Sequence, residues 1–264
     1  MSEAQREWLA SYDPVTGSRT CDQPKMSKLR DLVIEAHGGY SRWKAFRTIE
    51  AEMSITGMLW VRKGWPDVLK NVRVTADTQM QQLSYRPFTG EGLRSLYRPD
   101  EVAIENSDGV KVKNRKSPRS AFEGHKAETG WDDLHLAYFS GYAMWNYLNT
   151  PFLFLLPDIT TEELTPIEEN GERRRRLKVT FSPTVATHGP EQIFYIDDSG
   201  LIARLDYSAE VTCSGPAVHY TSGYREFDGI KFPTRRRAFV RSADGSANTG
   251  AAAVAIDVSN VRLS

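Results

Sequence analysis

The feature that most constrains this chain is one aromatic-rich segment that is apolar on nearly every side. Leu134–Leu148 reads Leu-His-Leu-Ala-Tyr-Phe-Ser-Gly-Tyr-Ala-Met-Trp-Asn-Tyr-Leu. A helix with no polar face has nowhere to go but the interior. Asp132 and Asp133 precede it, where carboxylates meet the positive end of a helix dipole, and Pro151 stops it. The segment predicts a buried helix lying within about 131–150, and the rest of the chain must wrap it.

What surrounds it reads as strands. In Thr48–Val61, Ile49, Ala51, Met53 and Ile55 alternate with polar residues, the period of a half-buried strand. Leu69–Ala76, Gln79–Tyr85, Leu93–Arg98, Glu101–Asn106 and Val110–Lys113 continue the pattern. After the helix come Arg174–Phe181, Gln192–Asp197, Leu201–Val211, Ala217–Phe227, Phe232–Val240 and Ala252–Leu263. Ser107-Asp108-Gly109, Asp198-Ser199-Gly200, Asp228-Gly229 and Asp244-Gly245 are hairpin signals, and their spacing suits a meander rather than βαβ units. Ahead of the strands, Ser27 is a plausible N-cap for a helix that carries Leu29, Leu32, Val33 and Ala36 on one face and ends at Gly38-Gly39. Ser41–Phe46 reads as one more helical turn. Residues 1–25 read as an N-terminal extension, with Met26 as an alternative start, and 26–264 as a single antiparallel β domain with one helical insertion. The expected fold is therefore β-rich α+β. It is a large antiparallel meander forming an unclosed barrel or curved sheet, with helices packed in or against its concave face.

Several function classes lose support. With 34 basic and 34 acidic residues in 264, the balance is neutral and gives no electrostatic footprint for nucleic acid. Arg173–Arg176 and Arg235–Arg237 are basic runs, but strand alternation divides each between two faces. No Walker loop, G-x-G-x-x-G, G-x-S-x-G, H-E-x-x-H or C-x-x-C occurs, so no cofactor is expected. The five histidines show no ligand spacing, so no metal is expected. His37, just before Gly38-Gly39, reads as a capping residue. The two cysteines read as ordinary thiols. Phe152–Leu156, the longest apolar run, is too short to span a bilayer, and Met1–Lys25 has no basic start followed by an apolar stretch. The expected location is the cytoplasm. Oligomeric state is open.

Two constellations could carry chemistry. On the buried helix, His135, Tyr142, Asn146 and Asn149, with Tyr138 alongside, fall on one face and form a polar-tipped stripe. If that face borders a cavity, Tyr138, Tyr142, Trp145 and Phe152 would supply apolar wall, and His135 and Asn146 would orient a ligand. On the late strands, Arg204, Asp206, Ser208 and Glu210 share a face, with Leu205, Tyr207, Ala209 and Val211 on the other. The next strand brings His219, Thr221, Gly223 and Arg225. If the charged faces coincide, His219 becomes an acid–base group, with His135 as the alternative, Asp206 or Glu210 as its orienter and Arg225 as an anion stabiliser.

The opening helix Ser27–Gly39, Trp43, the long meander, the mid-chain helix, the hairpin Gln192–Tyr207 and the hairpin Phe227–Pro233 together resemble the lipoprotein-carrier (LolA/LolB-like) family. That resemblance implies an unclosed antiparallel barrel, capped by helices, enclosing an apolar cavity for acyl chains. The leading expectation is binding of an apolar small molecule or lipid in a sheet cavity. The alternative is a cofactor-free enzyme, an isomerase, cyclase or hydrolase, acting on a hydrophobic metabolite.

Overall fold

The computed structural model describes residues 28–248 and 250–264. The expected extension, Met26, the Ser27 cap and Cys21 lie outside the described residues. Cys213 is a free, exposed thiol.

Among the described residues, thirteen strands form one antiparallel sheet. The first six are β1 (Thr48–Thr56), β2 (Leu69–Asp77), β3 (Leu83–Arg86), β4 (Arg94–Tyr97), β5 (Glu101–Glu105) and β6 (Lys111–Lys116). The other seven are β7 (Thr160–Glu169), β8 (Glu172–Thr180), β9 (Glu191–Ile196), β10 (Ile202–Ser208), β11 (Pro216–Phe227), β12 (Ile230–Val240) and β13 (Val254–Leu263). The spatial order runs β6-β5-β4-β3-β2-β1-β13-β12-β11-β10-β9-β8-β7. The chain starts at the centre, meanders out to β6, jumps to the opposite edge at β7, and meanders back until β13 pairs with β1. Ile49 then sits opposite Leu263, and the Arg47 amide donates to Ser264 O at 2.7 Å. β6 and β7 do not pair, so the sheet is unclosed, as expected.

The jump between edges is made by the predicted buried helix. Of the α-helices, α1 is Lys28–Ala36, α2 Tyr40–Trp43, α3 Met58–Lys63 and α4 Asp133–Asn149. The N-terminus of α4 is fixed by a capping box: Asp132 accepts from the His135 amide at 2.8 Å, and the His135 ring accepts from the Asp132 amide at 3.3 Å. All α4 residues except Asp133 and His135 are buried. Its polar side chains satisfy their donors locally, while Asn146 Oδ1 and Asn149 Oδ1 are buried without a partner. Ser140, Asn146 and Asn149 each donate to the carbonyl one turn back, at 2.7, 2.7 and 2.9 Å. Gly141 lets the helix lie directly on β4, where a Cβ would meet Tyr97 Cβ at 2.5 Å. The concavity that a curved sheet offers is therefore filled by α4.

Two elements depart from the sequence expectation. The strand expected over Thr48–Val61 ends at Thr56, and α3 follows. Gly57 is the reason: its φ is 127°, and a Cβ there would sit 2.4 Å from Ala253 O. The chain turns against the start of β13, and the amides of Met58 and Leu59 donate to the Ala252 and Ala253 carbonyls. The second departure is β7, for which no strand was expected. It is an edge strand with no buried residue and carries Pro166 at a register shift. A charged, proline-bearing edge hides the alternation that marks a half-buried strand.

Candidate ligand-binding site

The polar stripe on α4 faces protein. His135 is the capping residue, and its Nε2 contacts Ala121 O at 3.0 Å. Asn146 donates to Tyr142 O and to Ala186 O. Trp145 donates to Asp77 O at 2.8 Å, and Phe152 stacks on Trp43 with centroids 4.3 Å apart. Trp145, Asn149 and Phe152 border a hollow of about 250 Å³ with Tyr40 and Trp43. Tyr138 is buried and borders a separate cleft near Arg119. His135 caps the helix, and Asn146 ties it to the 181–190 loop through Ala186 O.

The four residues expected as a catalytic group are separated by strand register. His219 lies opposite Leu205, whereas Asp206 lies opposite Val218. Directly paired residues share a face, so His219 points towards α4 and Asp206 points to the other side of the sheet. There Asp206 accepts two bonds from Arg204, both at 2.7 Å, and one from the Tyr195 hydroxyl at 2.9 Å. Arg204 also bridges to Glu169 and to Gly245 O. This is a closed structural cluster. Glu210 sits beyond the strand in a 3-10 turn and pairs with Arg119 at 2.6 Å. Arg225 is exposed and rests over Phe227. The expected charged patch is not assembled.

What His219 joins is a buried chain of neutral groups. Tyr142 Oη lies 3.1 Å from His188 Nδ1, and Tyr147 Oη lies 2.8 Å from His188 Nε2. Tyr147 and Tyr207 hydroxyls are 3.1 Å apart, and Tyr207 Oη is 3.3 Å from His219 Nδ1. His188 also stacks on Tyr207, centroids 4.2 Å apart. Burial, then the nearby Arg119 charge, pushes His188 down to about 3. Burial, then Arg236 and His188, holds His219 far below the usual range. Burial raises Tyr207 to about 12, and Tyr142 and Tyr147 well above the ordinary tyrosine value. All five groups are uncharged near neutral pH.

Neutrality fixes the proton accounting. A neutral imidazole donates from one nitrogen and accepts at the other, and a phenol has one proton. If His188 donates from Nδ1, then Tyr147 donates to His188, Tyr207 donates to Tyr147, and His219 donates to Tyr207. If His188 donates from Nε2, every bond reverses and Tyr207 donates to His219. His219 Nε2 is buried without a partner. In both polarities the Tyr207 proton is used inside the chain, and only its oxygen lone pair remains for an outside partner.

The residue that carries that oxygen also lines a mostly apolar groove. Tyr207 lines a cavity of about 190 Å³ whose walls include Leu59 from α3, Phe139 from α4, and Ala209, Ala238 and Val254 from the sheet side. Met58 and Val240, 46% and 44% exposed, form an apolar rim. Among the described lining residues there is no carboxylate and no imidazole. Sequence reasoning placed Tyr207 on the apolar face of its strand but assigned it no role, and it assigned none to His188, Tyr147 or Phe139. His188 arrives on the 181–190 loop between β8 and β9, and no spacing marks it.

No family model matches the chain, and no curated protein matches it. Solved structures do. A DUF1329 family protein from Desulfovibrio piger is 14% identical, with 89% of this chain and 91% of that chain covered and a TM-score of 0.50. A domain assigned as an outer membrane lipoprotein-sorting protein, from Vibrio parahaemolyticus, is 11% identical, with the same coverage and a TM-score of 0.52. A LolA superfamily protein from Nitrosomonas europaea is 10% identical over 88% of this chain and 92% of that one, with a TM-score of 0.47. The lipoprotein-carrier resemblance read from element order holds at the level of fold. Among the described residues no helix is long and apolar enough to cross a membrane.

Proposed function

We propose that this protein binds an apolar small molecule, or the apolar end of a lipid, in the groove floored by Tyr207. The observation that carries this reading is a mostly apolar cavity lined by Tyr207, whose proton is committed inside the protein, with Arg62, Thr212 and Ser214 as the other polar side chains in its walls. Such a site favours a ligand whose apolar end carries a hydroxyl or other donor. The carrier-like fold is consistent with it.

Size limits the affinity. The groove, at about 190 Å³, is smaller than the roughly 300–1,000 Å³ of ordinary ligand pockets. A ligand that buries about 200 Å² of apolar surface gains about 5 kcal/mol, which corresponds to sub-millimolar binding. A longer chain would continue over Met58 and Val240 and bind more tightly. The enzyme alternative draws less support, because His219 is buried behind Tyr207 and does not line the groove.

The test is an NMR titration with 1-octanol and with octyl methyl ether, which accepts but does not donate. The expected result is that octanol binds preferentially and shifts amides around Tyr207 and Ala238. Tyr207→Phe should remove the preference, and Ala217→Trp, which fills the groove, should abolish binding of both. Absence of octanol binding at saturation, or binding unaffected by Ala217→Trp, would refute the proposal.

A further inference from the structure

A second cavity lies outside that groove. It has a volume of about 340 Å³ and opens between the 181–190 loop and the 3-10 turn Pro118–Phe122. Its apolar walls include Pro99, Phe181, Val185, Pro190 and the ring of Tyr138. One cation and one anion face it, Arg119 and Glu210.

The Arg119 guanidinium is held in place from behind. Nη1 donates to Thr187 O at 3.1 Å, and the Tyr138 side chain lines the same cleft. Thr187 is adjacent to His188, so the arginine is pinned to the loop that anchors the neutral chain. Its remaining partner differs in kind. Nη2 donates to Glu210 Oε2 at 2.6 Å, but the Glu210 side chain is 54% exposed and that of Arg119 39%. Such a solvent-facing pair contributes little, because water and salt screen it. The guanidinium is therefore preorganised, whereas the carboxylate on it is exchangeable.

We infer that the Arg119 cleft is a second binding site, for a small monocarboxylate with an apolar body, which takes the place of the Glu210 carboxylate on the guanidinium. Planar, bidentate pairing with a carboxylate is what a fixed guanidinium recognises best. The proline, phenylalanine, valine and tyrosine walls suit an aryl or short alkyl body rather than a sugar or a phosphate ester. Glu210 is the built-in competitor, which keeps the cleft occupied when the ligand is absent.

Benzoate and its neutral isostere benzamide are the probes, titrated into the full chain by amide NMR. The inference expects benzoate to bind and benzamide to bind about tenfold more weakly or worse. Glu210→Gln removes the competitor from an exposed position and should tighten benzoate binding about three- to fivefold. Arg119→Gln should abolish the preference for benzoate over benzamide. Ala217→Trp in the other groove should leave benzoate binding unchanged, which separates this site from the octanol site. Benzamide binding as tightly as benzoate, no benzoate binding in either the parent or Glu210→Gln, or no gain in Glu210→Gln would each overturn the inference.

Discussion

Replacing Gly141 with alanine sets two opposing effects against each other at one helical position, and the winner reports whether the sheet's concavity is filled. Alanine is a better helix former than glycine by about 1 kcal/mol in a helix interior. In an exposed or loosely held α4 that gain would dominate and the protein would become more stable. In the structure the new Cβ would lie 2.5 Å from both Cβ and Cγ of Tyr97 on β4. Tyr97 is itself fully buried, and its Cβ cannot rotate away, so relief requires the helix or the strand backbone to move. Overpacking typically costs about 1–3 kcal/mol, and a contact this close belongs at the upper end. The net expectation is a loss of about 2 kcal/mol, equivalent to a fall in Tm of about 4–8 °C for a domain of this size. Differential scanning calorimetry with a urea melt measures it. A Tm that rises, or stays within error of the parent, would show that α4 does not rest on β4, and the filled-concavity account would fail.

Three further expectations follow from the same contacts. His37 is lowered to about 4, His188 to about 3, and His219 far below its ordinary value, all chiefly by burial. Between those values and 6.5 the unfolded chain binds more protons than the folded one, so stability is full above pH 6.5 and falls as pH drops towards 4. Each histidine contributes up to about 1.4 kcal/mol per pH unit, and His188→Gln should flatten the slope of denaturant-derived stability by about one proton. At the β7 edge, Pro166→Val combined with Glu168→Val removes the features that block strand addition, and size-exclusion chromatography should show new dimers or aggregates. Native-state hydrogen exchange should find the α4 amides opening only with the whole molecule, and a lower-energy opening confined to α4 would contradict the packing described.

The parts of the fold that were legible in the sequence are those that bury a pattern. Leu134–Leu148 matches α4 to within a residue at each end, because apolar residues on all sides leave burial as the only outcome. Strands β1, β2 and β8 to β13 declare themselves by alternation, since each has one face against the core. Where burial is absent the signal is absent: β7 is Thr, Glu and Pro apart from Leu164 and Ile167, which are only half-buried. The site was less legible for a different reason. Asp206 and His219 were expected on one face, but a strand's alternation does not say which residue of its neighbour lies opposite. The register that pairs Leu205 with His219 is set by the whole sheet. His188 meets Tyr142 and Tyr147 from a loop more than forty positions away in the chain, as its hydrogen bonds show. The i−4 bonds of Asn146 and Asn149 show how a polar stripe on a helix can be held by local backbone carbonyls, even where Asn149 also borders a hollow.

The filled concavity decides where a ligand can go. For the sheet to hold an acyl chain in its hollow, α4 would have to leave. Leu134, Leu136, Phe139, Met144, Trp145 and Leu148 are all buried there. Exposing such side chains costs about 1.5–3 kcal/mol each, or roughly 9–18 kcal/mol for the six. That is as large as the whole stability of a typical domain, about 5–15 kcal/mol. Departure would also strip Tyr142 and Tyr147 from His188, and Tyr147 O from the buried Arg236 guanidinium, which donates to it at 2.9 Å. A ligand that fits 190 Å³ gains far less than this. It therefore cannot drive the helix out, and binding is confined to spaces that already exist, among them the Tyr207 groove, the Arg119 cleft and the hollow beside Trp145 and Phe152. The helix packed on the sheet thus leaves a scaffold whose binding spaces lie around that helix and differ in chemistry.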